Sequence, residues 1–193
     1  DINSNATVDF GFYRQQIGNT IWVDTNNNGL QDGGELPYTA SSITVALVDN
    51  ATGAVISTTT TSTGLYTFTG VPSGTYVVSI TVPAGLVSST PTTNTVGVDN
   101  NDNGSPSGAF IVSAPFTATP GTSVGGITSS NANGTTSNPS IDFGLAQPGL
   151  ELRKYTNGFD ADTLADARPQ VRNGDTVTWT YVVTNTGAAA LTS

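Results

Sequence analysis

The sequence has no cysteine and no histidine among its 193 residues. No disulfide can staple it, and zinc centres, soft-metal sites and His-based triads or acid/base pairs are excluded. Basic residues are nearly as scarce. Four Arg and a single Lys stand against 12 Asp and 2 Glu, for a net charge of −9. So little positive charge argues against nucleic acid or an anionic membrane as partner, since both need basic patches, and it favours divalent cations. No run of about 20 apolar residues exists, so no segment reads as a membrane span. A signal peptide and a sorting tail are also lacking, and the sequence reads as an internal piece of something longer. Thr, Ser, Asn and Gly dominate instead, a composition shared with repetitive extracellular proteins. The length suits one or two domains with a core in each.

The most informative stretch is Asp24-Thr25-Asn26-Asn27-Asn28-Gly29-Leu30-Gln31-Asp32-Gly33-Gly34-Glu35. Its oxygen donors fall at positions 1, 3, 5, 9 and 12 of a twelve-residue loop, with Gly at position 6, the calcium-loop pattern of an EF-hand. Asp24, Asn26 and Asn28 place side-chain oxygens around one centre, and Gly29 permits the turn that brings the Leu30 carbonyl inward. Asp32 reaches the ion directly or through water, and Glu35 closes the shell with both oxygens. The competing interpretation is an Asn/Asp/Gly-rich surface turn that binds nothing. The residues before the loop, Asn19 to Val23, read as a strand, so this is a calcium loop set in a β protein.

The remaining pattern is β throughout. Ile43, Val45 and Leu47 alternate with Thr44, Ala46 and Val48, and Ala54 to Thr61 follows a turn as a Thr-rich strand. Tyr76, Val78, Ile80 and Val82 share one face of a strand from Thr75 to Val82. Turn-separated strands without a helical period predict a β-sandwich. Residues 5–12 and 138–145 echo each other, with Asp-Phe-Gly at Asp9 and again at Asp142, 133 residues on, a spacing that suits whole domains in tandem. The expected layout is a closing or donated strand over 1–14, a β-sandwich over 15–147 and the start of a second sandwich over 148–193, with Gln147-Pro148-Gly149 as a short hinge.

Four separated motifs then agree with one family. Gly18-Asn19-Thr20-Ile21-Trp22-Val23-Asp24 with its loop, Thr63-Gly64-Leu65-Tyr66-Thr67-Phe68, Val71-Pro72-Ser73-Gly74-Thr75-Tyr76-Val77-Val78 and Ile141-Asp142-Phe143-Gly144 follow in order. Together they resemble the B-type repeat of serine-aspartate repeat surface proteins, within the prealbumin-like (Cna B-type) superfamily. The resemblance covers about 17–145 and implies an Ig-like sandwich serving as a calcium-rigidified spacer. Some relatives carry a Lys–Asn isopeptide cross-link instead; the stretch 17–145 contains no Lys, so that bond cannot form here. Asn173-Gly174-Asp175-Thr176-Val177-Thr178-Trp179 and Val183-Thr184-Asn185-Thr186-Gly187 resemble the Ig-like conserved repeat domain of bacterial surface proteins, and Thr176 to Thr184 reads as a strong strand.

Two further acidic clusters stand out. Asp99, Asn101, Asp102 and Asn103, followed by Gly104, partly repeat the loop pattern but have Phe110 in place of the closing Glu. The family resemblance implies that this loop lies near the first and helps build further calcium sites; alone it reads equally as a solvated turn. Asn157, Asp160, Asp162 and Asp166 form the third cluster, either a junction cation site or an exposed acidic loop. The stretch 105–138 is weakly patterned, with one strand expected at Ala109 to Val112.

The leading expectation is a structural, non-catalytic module: a calcium-rigidified spacer in an extracellular prokaryotic adhesin, stalk or filament. Its partners would be neighbouring modules of the same chain or identical subunits. The alternative is an adhesive module that recognises a glycan or protein through Tyr13, Trp22, Tyr38 or Tyr66. No nucleophile–base pair is legible, and an enzyme is not expected.

Overall fold

The computed structural model describes residues 14–90, 99–119, 129–130, 135–160, 166 and 168–190. The expected closing strand at 5–12, Tyr13 and Asp162 lie outside the described residues. Among the described residues the structure is all β, with no helix. The strands in chain order are β1 (Arg14–Val23), β2 (Thr44–Asp49), β3 (Val55–Thr60), β4 (Leu65–Val71), β5 (Gly74–Thr81), β6 (Val87–Ser88), β7 (Gly104–Ser107) and β8 (Phe110–Ser113). They continue with β9 (Phe116–Ala118), β10 (Ser129–Ser130), β11 (Thr135–Asn138), β12 (Phe143–Ala146), β13 (Leu150–Thr156), β14 (Phe159–Asp160) and β15 (Trp179–Asn185).

Two sheets make the sandwich. One runs β10-β11-β1-β12-β6, with β4 added to β1; the other runs β3-β2-β5-β8-β7, with β9 added to β5. The long β1 organises the first sheet. It pairs antiparallel with β4 from Gln15↔Val71 to Thr20↔Leu65, while β11 and β12 lie parallel along successive halves of its other side. Period-2 patterning places the core between the sheets. Val45 and Leu47 of β2, Tyr66 and Phe68 of β4, Tyr76, Val78 and Ile80 of β5, and Phe143 and Leu145 of β12 are all buried, as the alternation of β2 and β5 predicts. Tyr66 packs edge-on to Phe68 with ring centroids 6.0 Å apart, and its hydroxyl donates to the Ile141 carbonyl at 2.6 Å.

The stretch after Gly104 is more ordered than its sequence pattern predicts. Within 105–138, where one strand is expected, β8 pairs with both β7 and β5, β9 pairs with β5, and β10 pairs with β11. These strands are two to four residues long, too short for a hydrophobic period to register.

A third sheet, β14-β13-β15, follows Gln147-Pro148-Gly149. β13 opens this sheet at Leu150–Thr156, whereas the strand expected from Thr176 begins at Trp179. The connecting residues are bonded on both sides. Thr186 N–H donates to the Gly149 carbonyl at 3.1 Å, and Ala188 N–H donates to the Gln147 carbonyl at 2.9 Å. A Cβ at Gly187 would collide with the backbone of Gln147, Pro148 and Gly149, so only glycine fits that approach.

Candidate cation-binding site

The first loop leaves the end of β1, where Asp24 N–H donates to the Leu145 carbonyl at 2.9 Å. The Asp24 side chain turns inward and is fully buried. Its Oδ2 accepts Gly29 N–H at 2.8 Å and its Oδ1 accepts Asn28 N–H at 3.2 Å, folding the loop back on its first residue. Asn26 Oδ1 accepts Asn28 N–H at 3.0 Å and Asn28 Oδ1 accepts Leu30 N–H at 2.8 Å, the local bonds that Asn favours in turns. Asn27 and Gly29 take left-handed φ values of 55° and 74°.

The loop's later half closes on the same network. Asp32 Oδ2 accepts the side-chain amides of Asn26 at 2.9 Å and Asn28 at 2.8 Å, and these bonds hold its carboxyl below the usual range. Glu35 uses both oxygens: Oε1 accepts Thr25 N–H at 2.7 Å and Thr25 Oγ1 at 2.9 Å, and Oε2 accepts Asp32 N–H at 3.1 Å. Asp24, Asn26, Asn28, Asp32 and Glu35 are thus gathered in one loop, and Leu30 enters through its backbone, bridging Asn101.

That bridge joins the two acidic loops. Gln31 N–H donates to the Asn100 carbonyl at 2.9 Å and Asp102 N–H donates to the Gly29 carbonyl at 2.8 Å. In the second loop Asp99 Oδ1 accepts from the Asn19 amide at 3.0 Å, and Asn101, Asp102 and Asn103 are buried. Asn103 Nδ2 donates to Asn101 Oδ1 at 3.2 Å. Asp102 faces the core side of the loop. Its Oδ1 accepts Gly104 N–H at 2.9 Å and Gly144 N–H at 3.1 Å, and its Oδ2 accepts the Ser89 hydroxyl at 3.1 Å.

Asp142 completes this centre, although the sequence offers it only as part of a module-closing motif. It is fully buried. Its Oδ1 accepts Thr20 N–H and its Oδ2 accepts Asn100 N–H, both at 3.0 Å, so one carboxylate ties β1 to the second loop. The signal that could have found it is an Asp flanked by apolar residues in a strand, where only a bonded carboxylate is tolerated.

The electrostatics are one-sided. No Lys or Arg lies between Arg14 and Arg153, and both ion pairs among the described residues involve Arg153. Burial pushes the Asp102 carboxyl up to about 7 against the bonds from Gly104, Gly144 and Ser89, and Asp24 adds to the rise. Burial, with Asp99 beside it, pushes Asp142 up to about 8. Buried carboxylates without a basic partner either hold protons or meet a cation. Among the described residues, no three Asp or Glu side chains form a metal-binding cluster. The donor set is instead mixed, two carboxylates and two amides beside Asp24, and all of it is hard oxygen suited to calcium.

Of the third cluster, Asn157 Oδ1 accepts Thr178 N–H at 2.8 Å, Asp160 lies 3.6 Å from the Arg153 guanidinium, Asp166 lies in a bend, and Asp162 is outside the described residues.

A family model described as the SdrD B-like domain matches residues 15–145, more than half of the chain. The chain belongs to the SdrD B-like domain family. This SdrD B-like domain is similar to serine-aspartate repeat-containing protein D of Staphylococcus aureus (strain Newman), 40% identical over 97 residues, which is 49% of this chain and 7% of that protein. It is also similar to serine-aspartate repeat-containing protein F of Staphylococcus epidermidis, 39% identical over 99 residues, 49% of this chain and 5% of that protein. The chain therefore spans less than a tenth of the length of either relative. The matched span of the SdrD B-like domain contains both acidic loops and Asp142. It also contains Trp22, Tyr38 and Tyr66, all buried, so none of these three offers an exposed ring to a ligand.

Proposed function

We propose that this SdrD B-like domain is a non-catalytic, calcium-rigidified spacer in a long extracellular adhesin, stalk or filament at a prokaryotic cell surface. The observation that carries the reading is the pairing of two acidic loops over Asp24, Asp102 and Asp142, all fully buried in a stretch devoid of basic residues. Asp24, Asn26, Asn28, the Leu30 carbonyl, Asp32 and Glu35 would hold one ion, and Asp99, Asn101, Asp102 and Asn103 would contribute to a second. Charge neutralisation and a bond between loop ends are what a bound calcium ion supplies. The chain's own residues do the rest. Leu30, Asn101 and Asp142 connect the loops to β1 and β12, so ordering the loops stiffens the end of the sandwich. Both relatives are named for serine-aspartate repeats and are many times longer than this chain, which supports a role as one unit within a long surface protein. Calorimetric titration of the full chain tests the reading. Calcium binding that Asp24→Ala and Glu35→Ala abolish supports it, and no binding to the parent chain refutes it.

A further inference from the structure

The sheet β14-β13-β15 has two unlike faces. Its register sets Leu152 opposite Val183, Lys154 opposite Tyr181, and Thr156 opposite both Trp179 and Phe159. Directly opposed residues share a face and successive residues alternate, so Leu150, Leu152, Phe159, Trp179, Tyr181 and Val183 lie together on one side. The other side carries Glu151, Arg153 and Asp160, and both ion pairs of Arg153 form there. That charged side suits water. The apolar side is nonetheless open: five of its six apolar side chains are between 58% and 63% exposed, and Phe159 is 43% exposed. The one charge on it, Lys154, lies 5.8 Å from the Trp179 ring centroid and 6.0 Å from that of Tyr181, so its stem runs along apolar surface. These side chains expose on the order of 500 Å², a patch of the size that marks an interaction site.

We propose that this face docks on the same face of a second copy of this chain, the two three-stranded sheets packing as the layers of a sandwich. Two such patches together reach the roughly 1,000 Å² that a specific interface needs. Electrostatics favours this meeting point. Residues 148–193 hold Arg153, Lys154, Arg168 and Arg172 against Glu151, Asp160, Asp162, Asp166 and Asp175, four bases to five acids, a net −1 of the chain's −9. Repulsion between copies therefore resides in the first 147 residues, and no acidic side chain lies on the apolar face itself. The contact is isologous and closes at two copies. It uses neither acidic loop, so it stands or falls apart from the calcium reading.

The chain has two tryptophans, and Trp22 is fully buried, so acrylamide quenching of the full chain reads Trp179. Sedimentation equilibrium follows the mass of the parent, of Tyr181→Lys and Leu152→Lys on the apolar face, and of Thr184→Lys on the charged face of the same sheet. The parent mass should double as concentration rises, while quenching of Trp179 falls in step. Tyr181→Lys and Leu152→Lys should each weaken the dimer at least about tenfold at an unchanged melting temperature of the first sandwich, and Thr184→Lys should associate like the parent. A parent that stays monomeric with Trp179 open to quenching overturns the proposal. So does a dimer that survives both apolar-face variants, or one lost equally in Thr184→Lys, which would place the contact at the strand edge.

Discussion

Asn103 and Asp142 are bonded to each other twice, 39 residues apart in sequence: Asn103 N–H donates to the Asp142 carbonyl at 2.9 Å, and Asp142 N–H donates to Asn103 Oδ1 at 2.8 Å. This clasp fixes the second loop to the closing strand, and both partners are buried. Asn103→Ala leaves the Asp142 N–H buried without its acceptor. The expected cost is about 2 kcal/mol, read as a lower urea midpoint at unchanged slope. Asn103→Asp, which keeps an acceptor oxygen, should lose less in calcium than in chelator.

The buried carboxylates set a pH dependence whose sign is fixed. Asp102 and Asp142 titrate in the fold at about 7 and about 8, above the ordinary carboxyl value. The folded state thus holds more protons than the unfolded chain, and stability falls as pH rises through that window. In chelator, the melting temperature should fall from pH 5 to pH 9. Asp32 and Asp49, whose carboxyls sit below the usual range, lose their contribution only in more acid solution. With calcium present the decline should flatten, and binding should release protons near neutral pH.

The junction predicts a local effect. Gly187→Val inserts a side chain where the backbone of residues 147–149 already lies. The bonds of Thr186 to Gly149 and of Ala188 to Gln147 should break while the sandwich stays folded. A local loss of about 1.4 kcal/mol raises the opened population about tenfold, so proteolytic cleavage near Pro148 should accelerate with little change in the main melting transition.

Much of the sandwich was legible because its longer strands obey a two-residue period: Val45 and Leu47, or Tyr76, Val78 and Ile80, alternate over enough residues to declare a buried face. The first loop was legible because its spacing is local. Asp24 through Glu35 carry the whole pattern in one unbroken stretch, and the structure folds them into one network. What joins the loops was not legible. Ser89 and Gly144 meet at Asp102, and Thr20 and Asn100 meet at Asp142, across separations that no spacing rule reports. The short strands β7 to β11 escaped because their order comes from neighbouring strands, not from their own pattern. Trp22, a candidate contact residue of the adhesive alternative, is fully buried.

Whether a cation completes this fold is read from the melting temperature of the full chain in calcium against chelator. The account predicts a rise of several degrees at saturating calcium, since a ligand at 100 times its dissociation constant adds about 2.7 kcal/mol. That rise should shrink sharply in Asp24→Ala and Glu35→Ala. Identical melting in calcium and chelator would contradict the account and leave the paired acidic loops as hydrogen-bonded turns.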